Sequence, residues 1–214
     1  MTTKFSTRTA KNFNIWRKIF QYITCSLAIK NYVSFVLRKY RFKVEGLENF
    51  DKNKKYIVAS NHMSNLDPFM LTAMLHLTIA FMAKKQLFET FWSSVLMDWC
   101  GAFAVDRDKV DVSTIKTALS IKKTDWNLGL FPQGKRCTTG KIENISKGFA
   151  SMAKKMETDI LPVGIVIKEN EHSKIKDFIV KAGTPITYKN SVETIINDWA
   201  KSVSALAELE YVPS

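Results

Sequence analysis

One histidine and one aspartate lie at a spacing suited to base catalysis. His62 and Asp67 are separated by four residues, and Pro68 follows the aspartate directly. His62 comes at the end of a predicted strand, and Pro68 is typical of the first turn of a helix. The loop between them is short, so the carboxylate can fix the imidazole tautomer and leave the other ring nitrogen as a general base for an alcohol. The alternative is an aspartate that caps a helix beside an ordinary loop histidine.

Cationic residues follow two later predicted strands. Arg107 comes just after a buried-looking strand over residues 101–105, and a second strand over residues 128–131 runs into a turn. That turn contains Gln133, Gly134, Lys135 and Arg136. Guanidinium and ammonium groups bind phosphate, and glycine permits close backbone approach, so the turn is predicted to hold a phosphomonoester. For Arg107 the alternative is a surface ion pair with Asp106 or Asp108.

Apolar periodicity predicts the elements that position these groups. Strands are predicted over residues 40–45, 56–60, 78–83, 101–105, 128–131, 160–167 and 178–182. Helices are predicted over residues 13–38, from about residue 68, and over 112–123, 147–157 and 191–209. Strands that alternate with helices indicate an α/β fold: a single domain with a mixed, largely parallel sheet flanked by helices. In such sheets, sites form in the loops after strand ends. The segment over residues 69–91, rich in Met and Phe, is either packed core or the wall of a tunnel.

Charge is concentrated at the N-terminus. The chain has 214 residues and a net charge of +12, yet residues 1–44 contain ten Lys or Arg and no acidic residue. This asymmetry predicts a phosphate-rich partner, either an anionic membrane or a nucleic acid. Since no base-reading motif occurs, nucleic-acid binding is the weaker hypothesis, and no nucleic-acid partner is expected.

The helix predicted over residues 13–38 is amphipathic. Its apolar residues recur at helical spacing, whereas Arg17, Lys18 and Gln21 fall on another face. This pattern favours a helix that lies in the lipid interface, and the alternative is a helix docked on the core. The uncharged run over residues 19–29 is shorter than the roughly 20 residues that span a bilayer. We therefore expect peripheral or monotopic association with the cytoplasmic face of a membrane.

Cysteine and histidine are scarce. The three cysteines are Cys25, Cys100 and Cys137, widely spaced and without a CxxC motif, and the histidines are His62, His76 and His172. Neither a disulfide framework nor a metal site is predicted, and a reducing compartment fits best.

Four blocks, in their order and separations, resemble the glycerolipid acyltransferase family, which includes the 1-acylglycerol-3-phosphate acyltransferases. Residues 61–68 match its His-x4-Asp motif, and residues 131–136 are similar to its Phe-Pro-Glu-Gly-Thr-Arg block. Residues 101–107 and 161–163 resemble its second and fourth blocks, and residues 83–87 a Lys-Lys-Glu-Leu segment. The resemblance covers roughly residues 40–190.

The resemblance implies a sequential mechanism without an acyl-enzyme, a metal ion or another cofactor. His62, oriented by Asp67, would take a proton from the acceptor hydroxyl, and the oxygen would attack the thioester of acyl-CoA or acyl carrier protein. Lys84, Arg107 and Arg136 would hold the acceptor phosphate. The implied product is phosphatidic acid, formed on the sn-2 hydroxyl of 1-acylglycerol-3-phosphate, a lysophospholipid. Residues 1–39 would form membrane-association helices and residues 40–214 the acyltransferase domain.

Two departures bear on the acceptor. Gln133 and Lys135 stand where the family usually has Glu and Thr, so the local field is more cationic. Another lysophospholipid or a lyso-ornithine lipid therefore remains an alternative acceptor. An alternative from a different class is a non-catalytic module that binds anionic membranes through residues 1–44.

Overall fold

The computed structural model describes residues 13–33, 38, 40–105, 112–170 and 173–213. Nine strands lie in these ranges: β1 (Tyr40–Glu45), β2 (Ile57–Ser60), β3 (Ile79–Lys84), β4 (Phe103–Val105), β5 (Asn127–Leu130), β6 (Lys141–Ile142), β7 (Ile160–Asn170), β8 (Ser173–Ala182) and β9 (Glu210–Tyr211). Seven of them form one sheet in the order β1-β8-β7-β2-β5-β3-β4. All neighbours are parallel except β7 and β8, which form an antiparallel hairpin. The predicted mixed, largely parallel sheet is confirmed.

Helices flank the sheet. They are α1 (Ile15–Gln21), which continues as a π-helix over Tyr22–Ile29, α2 (Asp67–Leu75), α3 (Phe91–Trp99), α4 (Val112–Ile121), α5 (Gly148–Met156) and α6 (Val192–Ala207). Sequence patterning does not predict α3, whose start is capped by the Thr90 hydroxyl accepting a hydrogen bond from the Ser93 N–H. It also misses the small parallel pair formed by β6 and β9.

The two faces of the sheet are covered by different helices. Ile57 and Leu128 pack on one face against buried side chains of α4, α5 and α6. Val58 and Phe81 pack on the other face against α2. Strands buried on both faces are typical of parallel sheets, which explains why β2 is apolar at nearly every position.

The N-terminal helix docks on the domain through its polar side. The Arg17 guanidinium donates to the Asp98 carbonyl at 2.9 Å and pairs with the Asp98 carboxylate at 2.9 Å. The Gln21 amide donates to the carbonyls of Ile79 and Cys100 at 2.6 and 2.9 Å. Arg17 and Gln21 are buried, although the sequence placed them away from the apolar face. The predicted segregation of faces is present, and the polar face is the one that contacts protein.

Gly101 makes this docking possible. Its φ is +78°, and a Cβ there would lie 2.4 Å from the Gln21 amide nitrogen and 2.7 Å from the Trp126 ring. Any side chain would therefore have to push aside the Gln21 amide or the Trp126 ring, and the positive φ itself favours glycine.

Candidate active site

Three neighbouring strands deliver the predicted site residues to one edge of the sheet. β5 lies between β2 and β3, and all three run parallel, so their carboxyl ends meet. His62 follows the end of β2, Lys84 ends β3, and Phe131 follows β5. Parallel α/β sheets place their ligand sites at this edge, which is where the structure brings these groups together.

His62 and Asp67 form a tight pair. The His62 Nδ1 lies 2.6 Å from the Asp67 Oδ2, and the same oxygen accepts from the backbone N–H groups of Met63 and Ser64 at 2.6 and 2.8 Å. Asp67 is fully buried, whereas the His62 side chain is 13% exposed. With a carboxylate on one side, the imidazole carries its proton on Nδ1, and Nε2 is left as the basic nitrogen.

The role expected for Asp67 at the helix end needs a correction. Leu66 occupies the cap position of α2, and Asp67 is the first helical residue. Its carboxylate turns back to the loop before it, because Oδ2 is taken by His62, Met63 and Ser64. The positive end of the α2 dipole still favours the negative charge there.

Aromatic rings support the imidazole from behind. The ring of Phe131 stacks on His62 with centroids 4.1 Å apart and an interplanar angle of 17°, and Phe81 stacks on Phe131 at 5.6 Å. Gly129 leaves room for this arrangement, since a Cβ there would lie 2.4 Å from the Phe81 ring. Sequence reasoning missed this role of Phe131, although the residue lies at a predicted strand end and opens the block over residues 131–136.

Backbone contacts fix the loop that carries His62. Asn61 is fully buried, and its side chain donates to the Ile165 carbonyl at 2.9 Å and accepts from the Ile165 N–H at 2.7 Å. The Cys137 N–H donates to the His62 carbonyl at 2.6 Å. The turn after β5 and strand β7 are thereby both tied to the catalytic loop.

Cations and apolar side chains share a groove with His62. We call it the catalytic groove; its volume is about 450 Å³. Lys84, Lys135 and Arg136 lie on it and are exposed, with no ion-pair partner among the residues the structure describes. Its apolar walls include Phe69, Phe81, Leu87 and Met97. The groove therefore combines an imidazole, exposed positive charge and a surface suited to an alkyl chain.

Two predicted residues lie elsewhere and one is not described. Gln133 is buried, and its amide nitrogen donates to the carbonyls of Lys141 and Glu143 at 3.1 and 3.3 Å. Gln133 and Gly134 line a second cavity beside the groove, not the groove itself. Arg107 lies outside the described residues, so its predicted phosphate contact stays a prediction.

The Gln133 contacts explain what an amide does at this position. Its nitrogen reaches two carbonyl oxygens, which a carboxylate would repel, so this chain uses the donor that Glu lacks. Its Oε1 is buried and has no partner among the residues described. The amide thus holds the turn after β5 against the segment around β6.

Two of the cysteines lie together in the fold. Cys25 and Cys100 are buried in one small apolar cluster, and both are free thiols. The hydrogen bond with Cys100, together with burial, raises the pKa of the Cys25 thiol, which therefore stays protonated. A protonated, buried thiol is a poor nucleophile, so Cys25 is not a candidate for the reactive group.

An oriented imidazole at the carboxyl edge of an α/β sheet, beside an apolar groove rimmed by cations, is an arrangement able to take a proton from a hydroxyl that lies near an anionic group. The chain belongs to the Acyltransferase family, whose model matches residues 41–166. That range contains His62, Asp67 and the turn after β5.

Relatives agree with this assignment. The chain is 30% identical over 121 residues to the 1-acyl-sn-glycerol-3-phosphate acyltransferase of Bacillus subtilis (strain 168), covering 56% of this chain and 60% of that protein. It is 26% identical over 156 residues to the enzyme of the same name from Borreliella burgdorferi, covering 72% and 62%. The matches thus span about three fifths of the length of these curated relatives.

A solved structure shares the fold. The 1-acyl-sn-glycerophosphate acyltransferase PlsC from Thermotoga maritima superposes with a TM-score of 0.60 at 18% identity, over 90% of this chain and 97% of that one. The likeness confirms the architecture of a single α/β domain.

Proposed function

We propose that this protein transfers a fatty acyl group from a thioester donor to the sn-2 hydroxyl of 1-acylglycerol-3-phosphate, giving phosphatidic acid. The observation that carries the proposal is the orientation of His62 by buried Asp67 in a groove with three cations that have no ion-pair partner within the described ranges. A phosphomonoester needs positive charge, and its alkyl chain needs an apolar wall. The groove supplies both beside a base.

The chemistry follows from the geometry. His62 Nε2 takes the proton of the acceptor hydroxyl while Asp67 stabilises the resulting imidazolium. The oxygen attacks the thioester carbonyl, and collapse of the tetrahedral intermediate breaks the carbon–sulfur bond. The imidazolium then returns its proton to the leaving thiolate, which regenerates the base. Acyl-CoA and acyl carrier protein would each supply such a thioester.

The three cations favour a phosphomonoester over a zwitterionic acceptor. Lys84 at the end of β3 and Lys135 and Arg136 in the turn after β5 line one groove, and a phosphate with about two negative charges is their natural counterpart. A lyso-ornithine lipid carries an amine that these cations would repel. We therefore rank lysophosphatidate first among acceptors.

A membrane surface is the proposed partner. Among described residues, every exposed large hydrophobic side chain lies within residues 15–32 or 87–99; we call this the apolar surface. Phe20 from the first segment stacks on Trp99 from the second with centroids 5.3 Å apart, which joins the two segments. Contiguous apolar patches of this kind mark protein or membrane contacts, and the acid-free basic N-terminus favours anionic lipid.

The location of the apolar surface fits substrate delivery. Leu87 begins the second segment, and Met97 lies on α3 within it. Both residues also line the catalytic groove. Lipid substrates would therefore enter directly from the bilayer. In the described residues no helix is long and apolar enough to cross a membrane. We propose association with the cytoplasmic face, whose anionic lipids attract the basic segment.

The test is turnover by the purified protein in detergent. It is supplied with labelled acyl-CoA or acyl carrier protein and a panel of lysophosphatidate, other lysophospholipids and lyso-ornithine lipid. We expect labelled phosphatidic acid from the parent, its loss in His62→Ala, and its retention in His76→Ala, a histidine outside the groove. Turnover confined to another acceptor would correct the substrate. No turnover, with vesicle binding intact in both variants, would support a non-catalytic module instead.

A further inference from the structure

Two free thiols meet between the N-terminal helix and the end of α3. Cys25 lies on the π-helix and is fully buried, and Cys100 directly follows the last residue of α3 and is 4% exposed. They share a small apolar cluster with Ala73, and their side chains are hydrogen-bonded to each other. The fold therefore brings together two sulfur atoms that are far apart in sequence.

Neighbouring contacts hold the two elements in this register. The Phe20 ring stacks on the Trp99 ring with centroids 5.3 Å apart, one residue before Cys100. The Gln21 amide donates to the Cys100 carbonyl at 2.9 Å. Gln21 precedes Cys25 by about one helical turn, so both lie on the side of the helix that faces the end of α3. The backbone of Cys100, and not only its thiol, is thus fixed against the helix that carries Cys25.

The catalytic groove gives a small oxidant access to one of the two thiols. Cys100 lines the groove, whereas Cys25 is not among the residues that line it. The hydrogen bond with Cys100, together with burial, raises the pKa of the Cys25 thiol, which stays protonated. The groove, with a volume of about 450 Å³, has room for a small peroxide. Oxidation therefore begins at Cys100, and Cys25 reacts second.

We propose that Cys25 and Cys100 are a redox pair, which a small peroxide converts to a disulfide that ties the N-terminal helix to the domain. The Cys100 sulfur attacks the peroxide, the oxygen–oxygen bond breaks, and water or an alcohol leaves Cys100 as a sulfenic acid. The Cys25 sulfur then attacks the Cys100 sulfur. The sulfur–oxygen bond breaks, and the departing oxygen takes the Cys25 proton to leave as water. The two thiols lose two electrons, and the peroxide gains them.

The disulfide joins the two segments of the apolar surface. Cys25 belongs to the segment over residues 15–32, and Cys100 directly follows the segment over residues 87–99. A disulfide between distant positions closes a long loop of the unfolded chain, so it stabilises the fold and keeps the N-terminal helix docked. The proposal goes beyond the proposed function and does not depend on it, because no substrate takes part in forming the bond.

Peptide mapping tests the pair directly. The reduced full-length protein in detergent is treated with hydrogen peroxide, unfolded in urea with N-ethylmaleimide to block free thiols, and digested with trypsin without reductant. Trypsin releases Cys25 on residues 19–30 and Cys100 on residues 86–107. We expect these two peptides to be joined in the majority of chains and to be separated by dithiothreitol. Recovery of the two peptides without a link would overturn the proposal and leave the thiols as space-filling side chains.

Alanine variants establish the order of the two steps. In Cys25→Ala the Cys100 sulfenic acid has no partner thiol, so dimedone labelling of Cys100 should rise about fivefold or more over the parent. In Cys100→Ala, Cys25 should remain a thiol. Cys137→Ala is the matched control and should form the link between Cys25 and Cys100 as the parent does. A link that needs Cys137, or dimedone on Cys25 in Cys100→Ala, would contradict the proposal.

Thermal unfolding measures the effect of the bond. The oxidised parent should unfold at a midpoint about 4 °C or more above that of the reduced parent, and Cys25→Ala should show no such shift after peroxide treatment. Equal midpoints for the oxidised and reduced parent would overturn the proposed tie. His62→Ala should form the same bond as the parent. The link without any turnover in the parent would sustain the redox pair and refute the enzyme, and turnover without the link would do the opposite.

Discussion

The rings of His62 and Phe131 lie in parallel contact, with centroids 4.1 Å apart. One face of the imidazole contacts the Phe131 ring, and its Nδ1 is bonded to the Asp67 carboxylate. Two separate contacts therefore hold the side chain. His62 is thereby restricted to one rotamer before any substrate arrives. Such preorganisation is the usual requirement for an effective general base.

Removal of the Phe131 ring should lower kcat more than it raises KM. Stacked aromatic pairs contribute about 0.5–1.5 kcal/mol beyond their buried area, so Phe131→Leu should reduce kcat by roughly 2- to 10-fold. Phe131→Tyr retains the ring and should stay within about twofold of the parent. Steady-state kinetics of the three proteins provide the measurement. Equal kcat for Leu and Tyr variants would show that the stack does not position the imidazole.

Substitution of Asp67 should lower kcat strongly, although His62 itself is still present. Asp67→Asn keeps an oxygen that can accept a hydrogen bond, but it loses the charge that stabilises imidazolium. We expect kcat to fall by roughly 10²–10⁴. Asp51→Asn, at an exposed loop carboxylate that does not line the groove, is the control and should match the parent. A loss of less than about threefold for Asp67→Asn would contradict the assigned role.

Removal of groove cations should weaken binding of the acceptor through its phosphate. A hydrogen bond to a charged group is worth about 1.5–3 kcal/mol, so Lys84→Ala and Arg136→Ala should each raise KM for lysophosphatidate by roughly 10- to 100-fold. The same variants should change KM for a monoacylglycerol, which has no phosphate, by only about twofold. Lys201→Ala, exposed on α6, serves as the control. Equal effects on both acceptors would place the phosphate elsewhere.

Loss of exposed tryptophans should release the protein from membranes. Trp16 and Trp92 are 68% and 80% exposed and lie on the two segments of the apolar surface. Full burial of a large apolar side chain is worth about 1.5–3 kcal/mol, so Trp16→Ser combined with Trp92→Ser should lower the vesicle partition coefficient by about 100-fold or more. Co-sedimentation with anionic vesicles measures this. Tyr211→Ser, outside the apolar surface, should bind as the parent does.

Point substitutions test the membrane contact better than truncation. Deletion of residues 1–39, which the sequence predicts to form the membrane-association helices, should also release the protein from membranes. Phe13, Arg17 and Gln21 are buried against the domain, so that deletion also removes part of the core. Trp16 and Trp92 are exposed, and their replacement leaves the fold intact. Undiminished sedimentation of the double variant would count against the apolar surface.

Acid should loosen the edge of the sheet through Asp177. Arg41 donates to both oxygens of this carboxylate at 2.7 and 3.0 Å, and with help from Lys43 it lowers the pKa of Asp177 to about 2. Since the unfolded value is about 3.9, the pair stabilises the fold above pH ~4, and this contribution is lost as the pH falls towards 2.

Asp177→Asn should remove that pH-dependent contribution. Urea unfolding of the parent and the variant is compared at pH 6 and at about pH 3, where the parent's advantage should shrink. The β1–β8 pairing is the structural origin, because Arg41 lies on β1 and Asp177 on β8. A difference between the proteins that does not change with pH would exclude this ion pair as the cause.

Local sequence determined the seven strands of the main sheet, the predicted helices and the pairing of His62 with Asp67. The periodicity of apolar residues indicates secondary structure directly. The loop from His62 to Asp67 is short, so their side chains lie within hydrogen-bonding distance. The cationic turn was equally visible, because Lys135 and Arg136 follow a strand end. These features depend on neighbours within a few residues.

Tertiary structure alone decided which groups meet across the chain. Amphipathicity separates the faces of α1 but does not say which face contacts protein, and here the buried hydrogen bonds of Arg17 and Gln21 select the polar one. The insertion of β5 between β2 and β3 places Phe131 against His62, although 69 positions separate them in sequence. Strand order depends on long-range packing of all layers at once, so no local pattern encodes it.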